Sequence, residues 1–210
     1  IIGANSRSPE AFAVVVKNKG IRDISELKGK KVAGLRGSVV HQLFLELLHK
    51  KGLSEKDVEF YPMTLSTASS SLIAGRVDAA LLAGTEILRA EKGGCRILSD
   101  GRGYLAGLSL IVARRAFADE NRQLVGKFLQ EREKIRIKAA SSLGDHMPLL
   151  KRETGLSENE IINMLSKYDY YTGIRKKDVE ELQKTAEYLK KENIIKYIPN
   201  ITDMLWKESS

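Results

Sequence analysis

The chain of 210 residues is 42% hydrophobic and 30% charged, which is typical of ordinary globular proteins and leaves room for one large domain or two small ones. A single cysteine, Cys95, excludes an intrachain disulfide and a zinc site built from several cysteines, and no apolar run is long enough for a membrane-spanning helix. The net charge of +8 suggests nucleic acid, but acidic residues are interspersed with the basic ones, so we expect a solvated basic surface and no nucleic-acid partner.

Strands and helices alternate through the first half of the chain. Short apolar, β-branched runs indicate the strands, and amphipathic stretches between them indicate helices. The predicted strands cover residues 12–16, 31–35, 58–61, 77–82, 96–98 and 108–112. The predicted helical segments are a turn that starts near Ser25 with Asp23 as a second capping candidate, a helix from Ser38 to Gly52, and helices over residues 66–74 and 86–92.

The second half has a different character. From Asn121 onward the sequence predicts consecutive helices with few strand signals. The β-α-β-α-β-α-β order of the first half predicts an α/β fold with a parallel sheet and helices on both faces. The C-terminal helices must then pack on another element.

Three strand-to-helix junctions carry residues that suit ligand binding. In an open α/β sheet, ligands sit beyond the carboxyl ends of the strands, against helix N-termini. Glycine allows a close backbone approach, hydroxyls donate or cap, and the first amides of a helix favour anions. The candidate ligand-binding residues at these junctions are Gly37, Ser38 and Val39, then Leu65, Ser66 and Thr67, and finally Gly84, Thr85 and Glu86.

Signals for catalysis or metal binding are weak. His41 and His49 are eight residues apart, not four as in a metal-binding pair on a helix, and His146 has no evident partner. The segment 101–103 lacks the third glycine and the setting of a dinucleotide fingerprint. We therefore expect no catalytic residues, no metal and no cofactor. Cys95 is expected to be a structural thiol, either packed or half-exposed.

The order of several short motifs resembles the NMT1-like family of solute-binding proteins. The matching segments are 25–33 (SELKGKKVA) followed by Gly37-Ser38, 52–58 (GLSEKDV), 74–80 (AGRVDAA), 99–103 (SDGRG), 112–117 (VARRAF), 168–171 (YDYY) and 181–186 (ELQKTA). Each motif is short, but their order and spacing extend over nearly the whole chain. Many family members have a Trp-Glu-Pro or Trp-Asp-Pro step where this chain has residues 84–86, which implies a roomier and less aromatic pocket wall here.

The resemblance implies a type II periplasmic-binding-protein fold, with two lobes that contain parallel-rich sheets and are joined by a hinge. We expect residues 17–107 to form one complete lobe. Residues 1–16 and 108–210 would form the remainder of the other lobe, whose N-terminal strands are expected to be missing from this chain. The two crossings would be residues 12–16 and 108–112. Asn5, Ser6 and Arg7 complete the expected ligand-binding set, and Arg7 lies near an expected crossing.

The family's function gives the leading hypothesis. It implies an extracytoplasmic receptor, in the periplasm or lipid-anchored at the cell surface, that captures a small, anionic solute and delivers it to the membrane permease of an ABC importer. The implied solutes are sulfonates, taurine, nitrate, pyrimidine precursors and aromatic acids; any membrane anchor would lie outside this chain. The alternatives are a ligand-sensing domain of a signalling protein or transcription regulator, and an enzyme similar to thiamine-pyrimidine synthase, which the single cysteine disfavours.

Overall fold

The computed structural model describes residues 1–17 and 19–207. Within this part of the chain the strands are β1 (Gly3–Arg7), β2 (Phe12–Val16), β3 (Lys31–Gly34), β4 (Glu59–Pro62), β5 (Ala79–Ala83), β6 (Arg96–Asp100), β7 (Leu108–Ile111) and β8 (Asp169–Tyr170). The helices are α1 (Val39–Lys50), α2 (Leu65–Ile73), α3 (Thr85–Lys92), α4 (Arg115–Glu120), α5 (Arg122–Ser141), α6 (Leu143–Thr154), α7 (Glu158–Leu165), α8 (Lys176–Lys191) and α9 (Ile201–Met204). Short 3-10 helices cover Pro9–Ala11, Ile24–Leu27 and Glu55–Asp57.

The chain divides into two compact units. The sheet unit is Ser8–Gly107, and the helical unit combines Ile1–Arg7 with the chain from Leu108 onward. The helix-rich character of the second half agrees with the sequence pattern. None of the helices that the structure describes has the length and apolar character needed to cross a membrane.

The sheet unit is built on five strands in the order β4-β3-β5-β2-β6. β3 is parallel to β4 and to β5, whereas β2 is antiparallel to both of its neighbours, β5 and β6. The sheet is therefore mixed, and the predicted parallel arrangement holds for β3, β4 and β5 but not for β2. The physical reason lies in the connections. β3, β4, β5 and β6 are linked in turn by α1, α2 and α3, and such crossovers give parallel strands, whereas β2 reaches β3 without a long helix and is inserted in the opposite direction.

Helices cover both faces of this sheet, as the sequence predicts. On one side, Val14, Val16 and Leu81 pack with Leu43 and Phe44 of α1. On the other side, residues that alternate with these in β2 and β5 pack with side chains of α2 and α3, including Ala68, Leu72 and Ile87. Successive side chains of a strand point to opposite faces of the sheet, so each central strand contributes to two separate cores. This explains why the central strands are apolar throughout.

The position of β2 corrects our lobe boundary and one of the two crossings. We assigned residues 1–16 to the same lobe as 108–210, but β2 pairs along its full length with β5 and places Ala13–Val16 in the core of the sheet unit. The chain enters this unit at Ser8, so Phe12–Val16 is a central strand and not a crossing. A strand buried on both faces is stable only inside a covered sheet.

The helical unit contains a three-stranded antiparallel sheet in the order β7-β1-β8. Gly3 faces Ile111 and Arg7 faces Leu108 across β1 and β7, and Ser6 faces Tyr170 of the short strand β8. The described strands of this sheet pair only in antiparallel fashion, in contrast to the parallel-rich sheet expected for the complete lobe. Large apolar side chains on α4 and α5 remain exposed, among them Phe117, Leu124, Phe128 and Ile135.

Candidate functional site

The three predicted junctions lie at one edge of the sheet. Because β3, β4 and β5 are mutually parallel neighbours, their carboxyl ends meet at the same edge. α1, α2 and α3 each begin within a few residues of those ends. We call the segments 35–39, 64–67 and 84–86 the carboxyl edge. It brings together the nine sheet-unit residues that the sequence singled out.

The first junction is a closely bonded loop between β3 and α1. Gly37 adopts a φ of 75°, which favours glycine. The Ser38 hydroxyl donates to the Leu35 carbonyl at 2.6 Å and accepts from the His41 amide at 3.3 Å, so Ser38 is the N-cap of α1. The hydroxyl of Ser38 is thereby engaged in structure, while the Val39 side chain is 40% exposed at the edge.

The second junction is capped by a residue that the sequence analysis missed. The Thr64 hydroxyl accepts from the Thr67 amide at 3.3 Å, so α2 begins at Leu65, and Ser66 and Thr67 belong to its first turn. Three hydroxyl residues lie close together between Met63 and Ala68, and their identities alone do not distinguish the cap from its neighbours. The Ser66 hydroxyl accepts a hydrogen bond from Arg89 of α3 at 3.4 Å, which connects the second junction to the third.

The third junction depends on glycine and places a carboxylate at the edge. Gly84 has φ 57° and ψ −127°, and it is the N-cap of α3 without a side-chain bond. Ser69 of α2 donates to the Glu86 carbonyl at 3.4 Å. One carboxylate oxygen of Glu86 is buried without a hydrogen-bond partner among the described residues, and it lies 3.7 Å from the Arg89 guanidinium.

The electrostatics of the carboxyl edge favour an anionic group. The N-termini of α1, α2 and α3 each present unpaired backbone amides and the positive end of a helix dipole. Arg36 and Arg89 add cationic side chains that are more than half exposed, at 52% and 54%. Arg36 pairs with Glu55 and Arg89 lies beside Glu86, so the side-chain charges at the edge are balanced, and the helix N-termini supply its preference for an anion.

Asn5, Ser6 and Arg7 lie on β1 of the helical unit and are engaged within that unit. The Asn5 side-chain oxygen accepts from Arg132 of α5, and Ser6 is buried. Arg7 forms an ion pair with the fully buried Asp178 at 3.5 Å. Their ligand-binding role stays a prediction.

Asp178 organises a polar network that the sequence analysis did not identify. It accepts from the Tyr171 hydroxyl and from the Arg175 amide, both at 2.9 Å. Burial, together with the bond to Asp178, raises the pKa of the Tyr171 hydroxyl well above its usual value. The spacing of Tyr171 and Asp178 gave no sign of this contact, because the two residues are in different elements.

An open groove of about 820 Å³ also lies in the helical unit. Leu129, Glu133, Thr172 and Trp206 are among its lining residues. Glu133 accepts from Arg136 at 2.6 Å and from the Thr172 hydroxyl at 2.7 Å, and these two bonds, the first being the stronger effect, lower the pKa of its carboxyl to about 2. Charged side chains of both signs line the groove, because Lys134 and Arg175 border it together with Glu133.

The histidines and Cys95 do not form a reactive cluster. His41 is buried beside Glu55, and His146 lies 3.4 Å from the Ser142 hydroxyl. Cys95 is buried, and that burial raises the pKa of its thiol. Within residues 1–17 and 19–207, no group of three or more His, Cys, Asp or Glu side chains is placed to hold a metal ion.

The chain is similar in sequence to a curated protein. The chain is 32% identical over 131 residues to a putative aliphatic sulfonates-binding protein of Escherichia coli strain K12, a match that covers 61% of this chain and 40% of that protein. The chain therefore spans less than half the length of this curated relative.

Solved structures extend the likeness to nearly the whole chain. The periplasmic aliphatic sulphonate binding protein SsuA from Escherichia coli superposes with a TM-score of 0.83 at 25% identity, over 97% of this chain and 72% of that one. The alkanesulfonate-binding protein SsuA from Xanthomonas axonopodis pv. citri, bound to MOPS, gives a TM-score of 0.84 at 21% identity, over 98% of this chain and 72% of that one. The predicted periplasmic-binding-protein fold is thus confirmed.

A family model agrees with the motifs in the sequence. The model described as NMT1/THI5 like matches residues 1–134, which is more than half of the chain. The match includes β1 through the first part of α5, and it contains the whole carboxyl edge. The chain belongs to the NMT1/THI5-like family.

Proposed function

We propose that this chain is part of an extracytoplasmic solute-binding receptor that delivers an anionic solute to the permease of an ABC importer. The observation that carries the proposal is the convergence of three helix N-termini at one sheet edge, in a member of the NMT1/THI5-like family. Such an edge offers backbone amides and hydroxyls to an anion without requiring a metal or a cofactor.

Sulfonates are the solute class that we favour. The curated relative and both solved structures are named as binding aliphatic sulfonates or alkanesulfonates. A sulfonate has three oxygens around one sulfur atom, so it can accept hydrogen bonds from several amides at once, as a group placed between neighbouring helix N-termini would require. Taurine, nitrate, pyrimidine precursors and aromatic acids remain in the test set.

A thermal-shift screen of the purified chain tests the solute class. Ethanesulfonate, taurine, nitrate, a hydroxymethylpyrimidine and benzoate would be compared at equal concentration and ionic strength. A solute present at about 100 times its Kd should stabilise the protein by about 2.7 kcal/mol, so a true ligand gives a clear rise in Tm. No rise in Tm with ethanesulfonate, taurine, nitrate or benzoate would contradict the proposal.

Arg89 provides a matched test of where the anion binds. Arg89→Gln removes a positive charge beside Ser66 at the carboxyl edge, and we expect it to weaken binding of the responsive anion about three- to fivefold. Arg76→Gln is the control, because Arg76 is exposed and precedes β5, at the opposite edge of the same sheet. Equal effects of the two variants on the Kd measured by calorimetry would indicate a general charge effect and not a site.

A further inference from the structure

His41 and the loop before α1 are joined by a network of contacts that the proposed function does not itself require. The His41 ring is buried, and its Nδ1 accepts a hydrogen bond from the Gly37 amide at 3.2 Å. Because Nδ1 accepts, the proton of a neutral imidazole must lie on Nε2. That nitrogen is 2.5 Å from a carboxylate oxygen of Glu55 and is therefore the donor of this contact.

The other carboxylate oxygen of Glu55 accepts a hydrogen bond from the same loop. Arg36 donates to it at 2.6 Å, and the Arg36 guanidinium lies 4.8 Å from the centre of the Phe60 ring. Phe60 in turn contacts the His41 ring, with 5.1 Å between the ring centroids. Arg36 and Gly37 are consecutive, so the loop is held both through a side chain and through its backbone.

The loop held in this way is the one that presents the first turn of α1 at the carboxyl edge. A Cβ atom on Gly37 would meet nothing within 4 Å, so packing alone does not fix the loop at this point. With φ at 75°, Gly37 is also free to adopt many other conformations. Ser38 bonds to the Leu35 carbonyl across the turn, and the hydrogen bond to His41 Nδ1 is the contact made by the Gly37 amide itself.

We propose that His41 is a positioning residue for solute binding, which acts by accepting the Gly37 amide and so fixing the loop that precedes α1. Glu55 orients the ring by accepting from Nε2, and Arg36 holds Glu55 in place. This inference rests on the proposed function, since it concerns the same edge of the sheet. His41 itself does not contact the solute in this account.

Two substitutions distinguish the role of Nδ1 of His41 from the role of Nε2. His41→Asn places an oxygen near the position of Nδ1, so it keeps an acceptor for Gly37 and loses the bond to Glu55. His41→Gln places an amide near the position of Nε2, so it keeps a donor for Glu55 and loses the bond to Gly37. Both variants lose the contact with Phe60, so general damage to packing should affect them alike.

Two measurements on the intact chain do not depend on any solute. Nitrogen NMR of the wild type should show a neutral His41 with its proton on Nε2, and exchange of the Gly37 amide should be faster in His41→Gln than in His41→Asn. A proton on Nδ1, or equal Gly37 exchange in the two variants, would overturn the positioning contact whatever the chain binds.

The third measurement is the Kd of the anion that responds in the thermal-shift screen. We expect His41→Gln to raise the Kd about fivefold, equivalent to one net hydrogen bond, while His41→Asn stays within about twofold of the wild type. Equal losses of affinity in both variants would refute the role in solute binding. If no anion binds the wild type, the proposed function fails, and the role in solute binding fails with it; NMR and exchange then decide only whether the contact exists.

Discussion

At the scale of single residues, ionised side chains take part in folding. Glu133 of α5 joins Arg136 to Thr172 in the segment after β8, and its carboxyl pKa is about 2, against an ordinary value of 4.5. A carboxylate with a lowered pKa contributes stability that is fully present above the ordinary value and is lost as the pH falls toward the folded-state value. We therefore expect urea unfolding of the wild type to show a loss of stability between about pH 5 and pH 2 that Glu133→Gln makes smaller.

Glu131→Gln is the control for this pH dependence. The Glu131 carboxylate is half exposed and contacts Lys134 of its own helix, so its removal does not disturb the link to Thr172. An unchanged pH dependence in Glu133→Gln, or an equal change in Glu131→Gln, would contradict the role assigned to Glu133.

At the scale of elements, the caps decide where the helices at the carboxyl edge begin. Thr64 caps α2 by accepting the Thr67 amide, whereas Ser66 lies within the first turn of the helix. Thr64→Ala should therefore lower the free energy of unfolding by about 1 kcal/mol, and Ser66→Ala should lower it by less than about 0.5 kcal/mol. Chemical denaturation of both variants checks this difference, and a larger loss in Ser66→Ala would show that the helix begins elsewhere.

The sequence predicted the elements of the sheet unit better than their directions. Strands β2 to β6 and helices α1 to α3 lie close to their predicted bounds, because apolar runs and glycine ends are local signals. The reversed direction of β2 is not local, since both directions bury the same side chains. β1 was missed because Gly3–Arg7 has no β-branched residue and no clear alternation, and its pairing with β7 joins residues about a hundred positions apart.

The candidate site was likewise predictable only where its signals are local in the sequence. The three junctions could be predicted because a strand followed by glycine, hydroxyls and a helix is a short pattern. The contact of His41 with Glu55 could not, because it depends on how α1 and the Glu55–Asp57 turn are brought together by β3 and β4. Asp178 and Tyr171 were missed for the same reason, although the C-terminal motifs had drawn attention to this region.

At the scale of the whole molecule, the two units differ in how they bury apolar groups. In the sheet unit, strands and helices enclose two cores, while the helical unit leaves Val112, Phe128, Ile135 and Tyr197 at least half exposed. Solute recognition is proposed at the carboxyl edge of the sheet unit. The helical unit other than Asn5, Ser6 and Arg7 therefore provides an internal reference in any experiment that follows the whole chain.

Amide hydrogen exchange of the intact chain, with and without a saturating alkanesulfonate, tests the central claim most directly. We expect slower exchange at residues 37–41, 64–68 and 84–88 when the sulfonate is present, because these segments contain the helix N-termini that would bind it. Sodium chloride at equal ionic strength should leave these amides unchanged. Protection confined to other segments, or none at any of the three junctions at a saturating concentration, would contradict the account.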